Sequence, residues 1–160
     1  MKKYLFILLT IFSLLVLAAC NATSAATDAI SVENVRANMT LPSETGSFWM
    51  VITNNSETDD VLTGASYEGC GAVELHNMFM EEGVMVMRMV EGGEIPIPAG
   101  ETVELKPGGL HVMCLQKEAP LELGSAVEIS LEFANAGTIT VEGTVVEPAM
   151  SSDMDMEGEE

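Results

Sequence analysis

The feature that most constrains the fold of this 160-residue chain is a series of short runs rich in Val, Ile, Thr and Leu, separated by turn residues. β-Strands favour these residues, and no segment has a convincing long helical period. The pattern predicts an all-β fold, namely an antiparallel β-sandwich with Greek-key connections. The nine predicted strands are Ile30–Ala37, Ser47–Thr53, Val61–Tyr67, Ala72–Met80, Val84–Met89, Thr102–Lys106, Leu110–Leu115, Ala126–Phe133 and Thr138–Val146.

The N-terminus has the layout of a secretory signal. Lys2 and Lys3 precede a mostly apolar run that is short for a membrane span. The run ends in Leu-Ala-Ala-Cys20, which resembles a bacterial lipobox. This resemblance implies lipidation of the Cys20 sulfur, cleavage before it, and anchoring to a bacterial membrane on the periplasmic or cell-surface side. An ordinary signal peptide with an incidental cysteine, or an uncleaved anchor, are the alternatives.

The composition predicts four segments. Residues 1–19 are the signal, 20–28 a small, polar, lipidated tether, and 29–148 the β-sandwich domain. Residues 149–160 form an acidic tail that contains methionine and has too little apolar content to pack, so we expect it to be disordered. It contains Met150, Met154 and Met156, of which Met154 and Met156 could act as auxiliary metal ligands, although a solvating tail is the simpler interpretation.

The chain is strongly acidic. Its formal net charge is −19, and loss of Lys2 and Lys3 with the signal makes it −21. This charge argues against binding to nucleic acid and against electrostatic attraction to anionic lipid headgroups. It favours cations or a basic protein partner, although solubility alone would also account for it.

Cys70 and Cys114 are the cysteines that follow Cys20. Outside the cytoplasm they could form a disulfide. A free thiol pair, or a cysteine that binds metal, would fit the sequence equally well, because a disulfide depends on a distance that the sequence does not supply.

Methionine and histidine are concentrated in "HNMFMEEGVMVMRM", residues 76–89. Side chains alternate between the faces of a strand, so His76, Met78 and Met80 share one face of the first strand. Met85, Met87 and Met89 share one face of the next strand, and the short connection predicts a hairpin that joins the two rows. His111 and Met113 share a face of a later strand in the same way.

Two interpretations of these residues compete. Methionine fills irregular cores well, and a methionine row on one strand is usually part of a core. However, both histidines of the chain lie in strands that contain methionine, at matching parity, and core packing gives no reason for this. Thioether sulfur is a soft, neutral ligand that suits Cu(I), and neutral imidazole adds a stronger donor. The pattern therefore points to a Cu(I) site made of two histidines and two methionines.

At these residues the chain resembles the PCuAC family of periplasmic copper chaperones. The family signature is His, ten residues, Met, about twenty-one residues, and then His-x-Met, on a cupredoxin-like β-sandwich. Here ten residues separate His76 from Met87, and twenty-three separate Met87 from His111-Val112-Met113. "VELH", "GVMVMRMV" and "IPAGETVELKPGGLHVM" also resemble the family, and the likeness covers roughly residues 30–146.

Three features depart from the family pattern. The second gap is two residues longer, which "GGEIPIPAG" could absorb as a loop. Met89 would restore this gap but would break the shorter spacing from His76, so Met87 is preferred. Cys114 stands where an aliphatic residue is expected, and the Met-rich acidic tail is additional.

The resemblance implies a copper carrier rather than an enzyme. Its ligands would be His76, Met87, His111 and Met113, with Met78, Met85 and Met89 as auxiliary residues. The cargo would be Cu(I), with Cu(II) a second ion to consider. The acceptor would be the binuclear copper centre in subunit II of cytochrome oxidase, or a thiol-based copper chaperone. A blue-copper electron carrier and a non-metal lipoprotein with an adhesion or assembly β-sandwich are the rival interpretations.

Overall fold

A computed structural model describes residues 29–148, and these residues form ten β-strands. The prediction of an all-β fold is confirmed. The predicted signal, the Cys20 lipidation site, the tether and the acidic tail lie outside the described residues. The strands are β1 (Ile30–Asn38), β2 (Thr45–Asn54), β3 (Asp60–Ser66), β4 (Cys70–Glu81), β5 (Val84–Met89), β6 (Ile95–Ile97), β7 (Thr102–Leu105), β8 (His111–Lys117), β9 (Ala126–Phe133) and β10 (Gly137–Val145).

The strands form one hydrogen-bonded path in the order β5-β4-β8-β2-β1-β10-β9-β3-β6, and β7 also pairs with β2. The sequence predicts an antiparallel sandwich, and all strand pairs are antiparallel except β1 with β10, which are parallel. The path surrounds one core of buried apolar side chains, in which Phe48, Met50, Ile52, Leu62 and Leu131 have no exposed surface. Burial of such side chains supplies most of the stability of a domain of this size.

β6 is a strand that the sequence does not predict, because "GGEIPIPAG" indicates a loop. Glu91–Gly93 instead form a short 3-10 turn, and Ile95–Ile97 pair with β3. Ile95 and Ile97 are buried while Pro96 is exposed, an alternation that suits a strand. Proline cannot donate a backbone hydrogen bond, and β6 lies at the end of the strand order, where proline is tolerated.

The predicted β4–β5 hairpin is present. Its two turn residues, Glu82 and Gly83, both have positive φ, 50° and 83°. A two-residue hairpin turn with positive φ at both positions is of type I′, which matches the twist of the flanking strands and favours glycine. This tight turn fixes the register that sets Met78 opposite Met87 and Met80 opposite Met85.

Among the helical segments of residues 29–148, none is both long enough and apolar enough to span a membrane.

Candidate metal site

The two histidines lie opposite each other on neighbouring strands. His76 on β4 pairs directly with His111 on β8, and with Met89 on β5 on its other side. The two imidazole ring centres are 5.9 Å apart, and their planes are inclined by 62°. A metal–imidazole bond is about 2 Å long, so two rings that share one ion have centres roughly 5 to 6 Å apart. The pair is therefore spaced to hold one ion.

Met87 reaches the histidine pair from the edge strand. Its Sδ atom lies 3.1 Å from Nε2 of His111, although β4 separates the strands that carry them. Nδ1 of His111 lies 2.8 Å from the backbone oxygen of Gly109. Because a carbonyl only accepts, Nδ1 carries the proton, and Nε2 of the neutral ring has a free lone pair. Two lone-pair donors thus face each other with no proton between them, an arrangement that suits a shared soft metal ion.

The Pro-Gly-Gly turn before β8 orients His111. Gly108 has φ of 76°, and the Gly109 amide donates to the backbone oxygen of Lys106, which closes the turn after Pro107. Proline followed by a glycine with positive φ is typical of a type II turn. The turn directs the Gly109 oxygen at His111 and so selects the tautomer of that ring.

Burial favours the neutral form of His111. Desolvation is the main cause that lowers the pKa of His111 below its ordinary value of 6.5, and the nearby His76 lowers it further. The hydrogen bond to Gly109 opposes this shift and raises the pKa. Since a protonated imidazole cannot bind a metal, the lowered pKa favours the form that can bind.

Met113 completes the cluster from β8. Two residues after His111, it lies on the same face and is 8% exposed, and in the sheet it pairs with Glu74 of β4. Met113, His111 and Met87 line a surface depression of about 190 Å³. Leu41 and Ser43, in the loop after β1, also line it.

The four predicted ligands are therefore brought together, but they differ in exposure. His76 and His111 are 9% and 5% exposed, whereas Met87 is 44% exposed. The two imidazoles are therefore shielded from solvent, whereas the cluster is open to solvent at Met87.

The predicted auxiliary methionines are spread along the hairpin. Met89 lies beside His76 and Met78 lies beside Met87, whereas Met85 is farther away, opposite Met80 near the turn. Met80, Met85 and Met89 are exposed, so they form a soft apolar surface next to the cluster and are not part of the core.

Glu74 is a member of the site that the sequence analysis did not assign. Its Oε2 atom lies 2.7 Å from Nε2 of His76. The sequence "VELH" indicates this position, because Glu74 precedes His76 by two residues and therefore shares its face of β4.

Cys70 and Cys114 are joined in a disulfide, with their Cα atoms 5.6 Å apart. The bond ties the start of β4 to β8, the two strands that carry the histidines. A blue-copper centre requires a cysteine thiolate. Both cysteines of residues 29–148 are used in this bond, so the described part of the chain offers no such ligand.

The donor set determines which metals the cluster can hold. In the described ranges, no group of three or more His, Cys, Asp and Glu side chains could hold a metal ion. A metal here would depend on the thioethers of Met87 and Met113 beside the imidazoles. Such ligands favour soft ions over Mg²⁺ and Ca²⁺, which prefer oxygen.

Comparison with solved structures assigns the fold to a class. The apo PCuAC domain of PmoF1 superposes with a TM-score of 0.62 at 24% identity, covering 75% of this chain and 95% of that domain. The structure of apo-DR1885 from Deinococcus radiodurans gives a TM-score of 0.58 at 29% identity, covering 82% and 87%. The domain is thus a cupredoxin-like β-sandwich of the PCuAC type.

The sequence comparisons identify the family. Residues 30–145 match the family model described as "Putative lipoprotein LpqE-like". The chain belongs to this LpqE-like lipoprotein family. It is also 31% identical over 90 residues to "Putative lipoprotein Lxx21020" of Leifsonia xyli subsp. xyli, and the match spans 56% of this chain but only 54% of that relative.

Proposed function

We propose that this protein is an extracytoplasmic copper chaperone that binds one Cu(I) through His76, Met87, His111 and Met113. The observation that carries the proposal is the 3.1 Å contact between Nε2 of His111 and Sδ of Met87. Neither atom has a proton to donate, because the ring proton of His111 is on Nδ1, which donates to the Gly109 oxygen. A soft cation between them would convert this contact into two favourable bonds.

The similar structures support copper as the cargo. DR1885 from Deinococcus radiodurans has also been solved as CuI-DR1885, which is 28% identical to this chain and covers 77% of it, with a TM-score of 0.58. The copper-bound PCuAC domain from PmoF2 shares the fold, with a TM-score of 0.63 at 22% identity.

The geometry suits a carrier that binds and releases its cargo. All four proposed ligands are neutral when they bind, so the site keeps the ion's positive charge and no thiolate holds the ion strongly. Met87 is the exposed ligand, whereas the two imidazoles lie deeper. An acceptor can therefore replace Met87 first and take the ion by stepwise ligand exchange, with no covalent chemistry and hence no enzymatic step.

The proposed location follows from the lipobox-like sequence at Cys20, and the proposed partners follow from the resemblance to PCuAC chaperones. Lipidation at Cys20 would hold the domain on the outer side of a bacterial membrane, with residues 20–28 as a tether. We propose delivery to the binuclear copper centre in subunit II of cytochrome oxidase, or to a thiol-based copper chaperone that serves it. The acidic surface favours a basic docking face on that acceptor.

The site assignment is tested by an anaerobic Cu(I) titration against a competing chelator. His111→Ala and Met113→Leu are each expected to lower the affinity by at least about tenfold, or 1.4 kcal/mol. Met80→Leu is the matched control, since Met80 is an exposed methionine on the same hairpin but lies opposite Met85, away from the histidines. Equal affinity for all four proteins would rule out this ligand set.

Delivery needs a separate experiment. The Cu(I)-loaded protein would be mixed with apo subunit II of cytochrome oxidase or with an apo thiol chaperone, and the copper content of each protein measured after separation. Movement of copper to either acceptor supports the corresponding route. Retention of copper by the loaded chain with both acceptors would contradict delivery to them while leaving the binding site intact.

A further inference from the structure

We propose that Glu74 is a positioning residue of the copper site. Its carboxylate accepts a hydrogen bond from the Nε2–H group of His76, fixes that imidazole ring, and leaves Nδ1 as the nitrogen that His76 offers to copper. The inference rests on the proposed function and extends it to a residue outside the four ligands.

The first observation is the contact between the two side chains. Oε2 of Glu74 and Nε2 of His76 are 2.7 Å apart, which is within the range of a charge-assisted hydrogen bond. The side chain of His76 is 11% exposed and that of Glu74 is 32% exposed, so the bond is shielded from water on the histidine side. A carboxylate only accepts, so the shared proton is on the imidazole.

The second observation is the unused nitrogen. Nδ1 of His76 is buried and has no hydrogen-bond partner among the described residues. A buried polar atom without a partner destabilises the fold, so such atoms are rare unless a ligand satisfies them. With the proton on Nε2, Nδ1 carries a free lone pair, which is the form a metal requires.

The third observation is the contrast with His111. The Gly109 oxygen accepts a hydrogen bond from Nδ1–H of His111 and leaves Nε2 free, whereas Glu74 accepts one from Nε2–H of His76 and leaves Nδ1 free. Each ring has one acceptor that fixes its tautomer, as is usual for histidines that bind metals. The two histidines would thus present different nitrogens to the same ion.

Nitrogen NMR of the purified full-length protein in detergent tests the tautomer without metal. The chain has two histidines, so a His111→Gln variant assigns the signals. We expect His76 to show a protonated Nε2 and an unprotonated Nδ1 in the wild type. Glu74→Gln should keep this pattern because its amide oxygen still accepts, whereas Glu74→Ala should give a mixture of tautomers. A protonated Nδ1 in the wild type would overturn the proposal.

The same samples with Cu(I) test the coordination. Addition of Cu(I) should shift the Nδ1 signal of His76 and the Nε2 signal of His111 more than the other nitrogen of each ring, and a larger shift at Nε2 than at Nδ1 of His76 would overturn the proposal. Glu74→Ala should lower the Cu(I) affinity about 10- to 100-fold, as removal of such partners usually does, and Glu74→Gln should recover most of it. Glu142→Ala, which removes an equal charge from an exposed position on β10, is the control and should bind as the wild type does.

The outcomes separate the two proposals. If the wild type binds no Cu(I), the proposed function fails, and the metal-free tautomer still reports on Glu74. If the wild type binds and Glu74→Ala binds equally well, the ligand set stands and the role of Glu74 is wrong.

Discussion

Nε2 of His111 and Sδ of Met87 lie 3.1 Å apart although their residues are on strands that do not pair with each other. Neighbouring strands are about 4.8 Å apart, so roughly 10 Å separates β5 from β8, and the Met87 side chain reaches over β4 to meet the side chain of His111 between them. Methionine is long, unbranched and flexible enough to do so. The contact gives Met87 a role that its neighbours on β5 do not share.

Replacement of Met87 should therefore differ from replacement of Met89. Met87→Leu is expected to weaken Cu(I) binding at least about tenfold, since leucine keeps the volume but offers no lone pair. Met89→Leu is the matched control, because Met89 has similar exposure, 48% against 44%, and pairs directly with His76. We expect it to change the affinity less than about threefold, or 0.7 kcal/mol. If Met89→Leu bound Cu(I) more weakly than Met87→Leu in the chelator competition, Met89 would be the ligand, and the choice of Met87 from its spacing to His76 would be wrong.

The part of the site that strand parity could predict is the part that local geometry controls. Strand alternation predicts that His76 and Met78 share a face, and that Met85 and Met87 do. A tight turn brings the two rows together, and the observed register has this arrangement. The bounds of β5 and β9 match the prediction because each is a continuous run flanked by turn residues.

The remaining features depend on contacts that are distant in sequence. His76 meets His111 because β8 lies beside β4. The sequence is compatible with several strand orders and does not select this one. β6 escaped prediction because Pro96 interrupts its short run, and its burial comes from pairing with β3. Strand alternation places Glu74 on the same face as His76. It does not predict their hydrogen bond, because a glutamate at the surface usually faces solvent.

Substitution of Gly108 in the turn before His111 should destabilise the fold, whereas substitution of Gly109 should be tolerated. Gly108→Ala places a side chain at φ of 76° and is expected to destabilise the fold by about 1–2 kcal/mol. Gly109→Ala is the control, since its φ is not in the left-handed region and the added Cβ would meet only Lys106 at an ordinary 3.5 Å. Urea unfolding of both variants measures the difference. Equal stability would show that the turn does not require positive φ at residue 108.

Reduction of the disulfide should destabilise the domain. Cys70 and Cys114 are 44 residues apart in sequence, and closing a loop of that length stabilises a fold by about 4 kcal/mol in the chain-entropy model. Measured gains are usually smaller, so we expect a loss of about 2–4 kcal/mol in the free energy of unfolding when a reductant is added. The Cys70→Ala, Cys114→Ala double variant should be equally destabilised and should not respond to the reductant. An unchanged urea midpoint for the wild type in reductant would contradict a stabilising role for the bond.

His111 should make the metal-free fold sensitive to acid. Its pKa is lowered in the folded protein, mainly by desolvation, from an unfolded value near 6.5. Above pH 6.5 the ring is neutral in both states and contributes no difference. As the pH falls below 6.5 the unfolded chain takes up a proton more readily than the folded chain, so the free energy of unfolding decreases until the pH passes below the folded pKa.

The test compares the free energy of unfolding of the wild type and His111→Gln at pH 7.5 and pH 5. Other groups titrate in both proteins, so the difference between the two pH dependences isolates His111 and its coupling to His76. The wild type should lose more stability than the variant over this interval. An equal or smaller loss would mean that burial does not hold the pKa of His111 down.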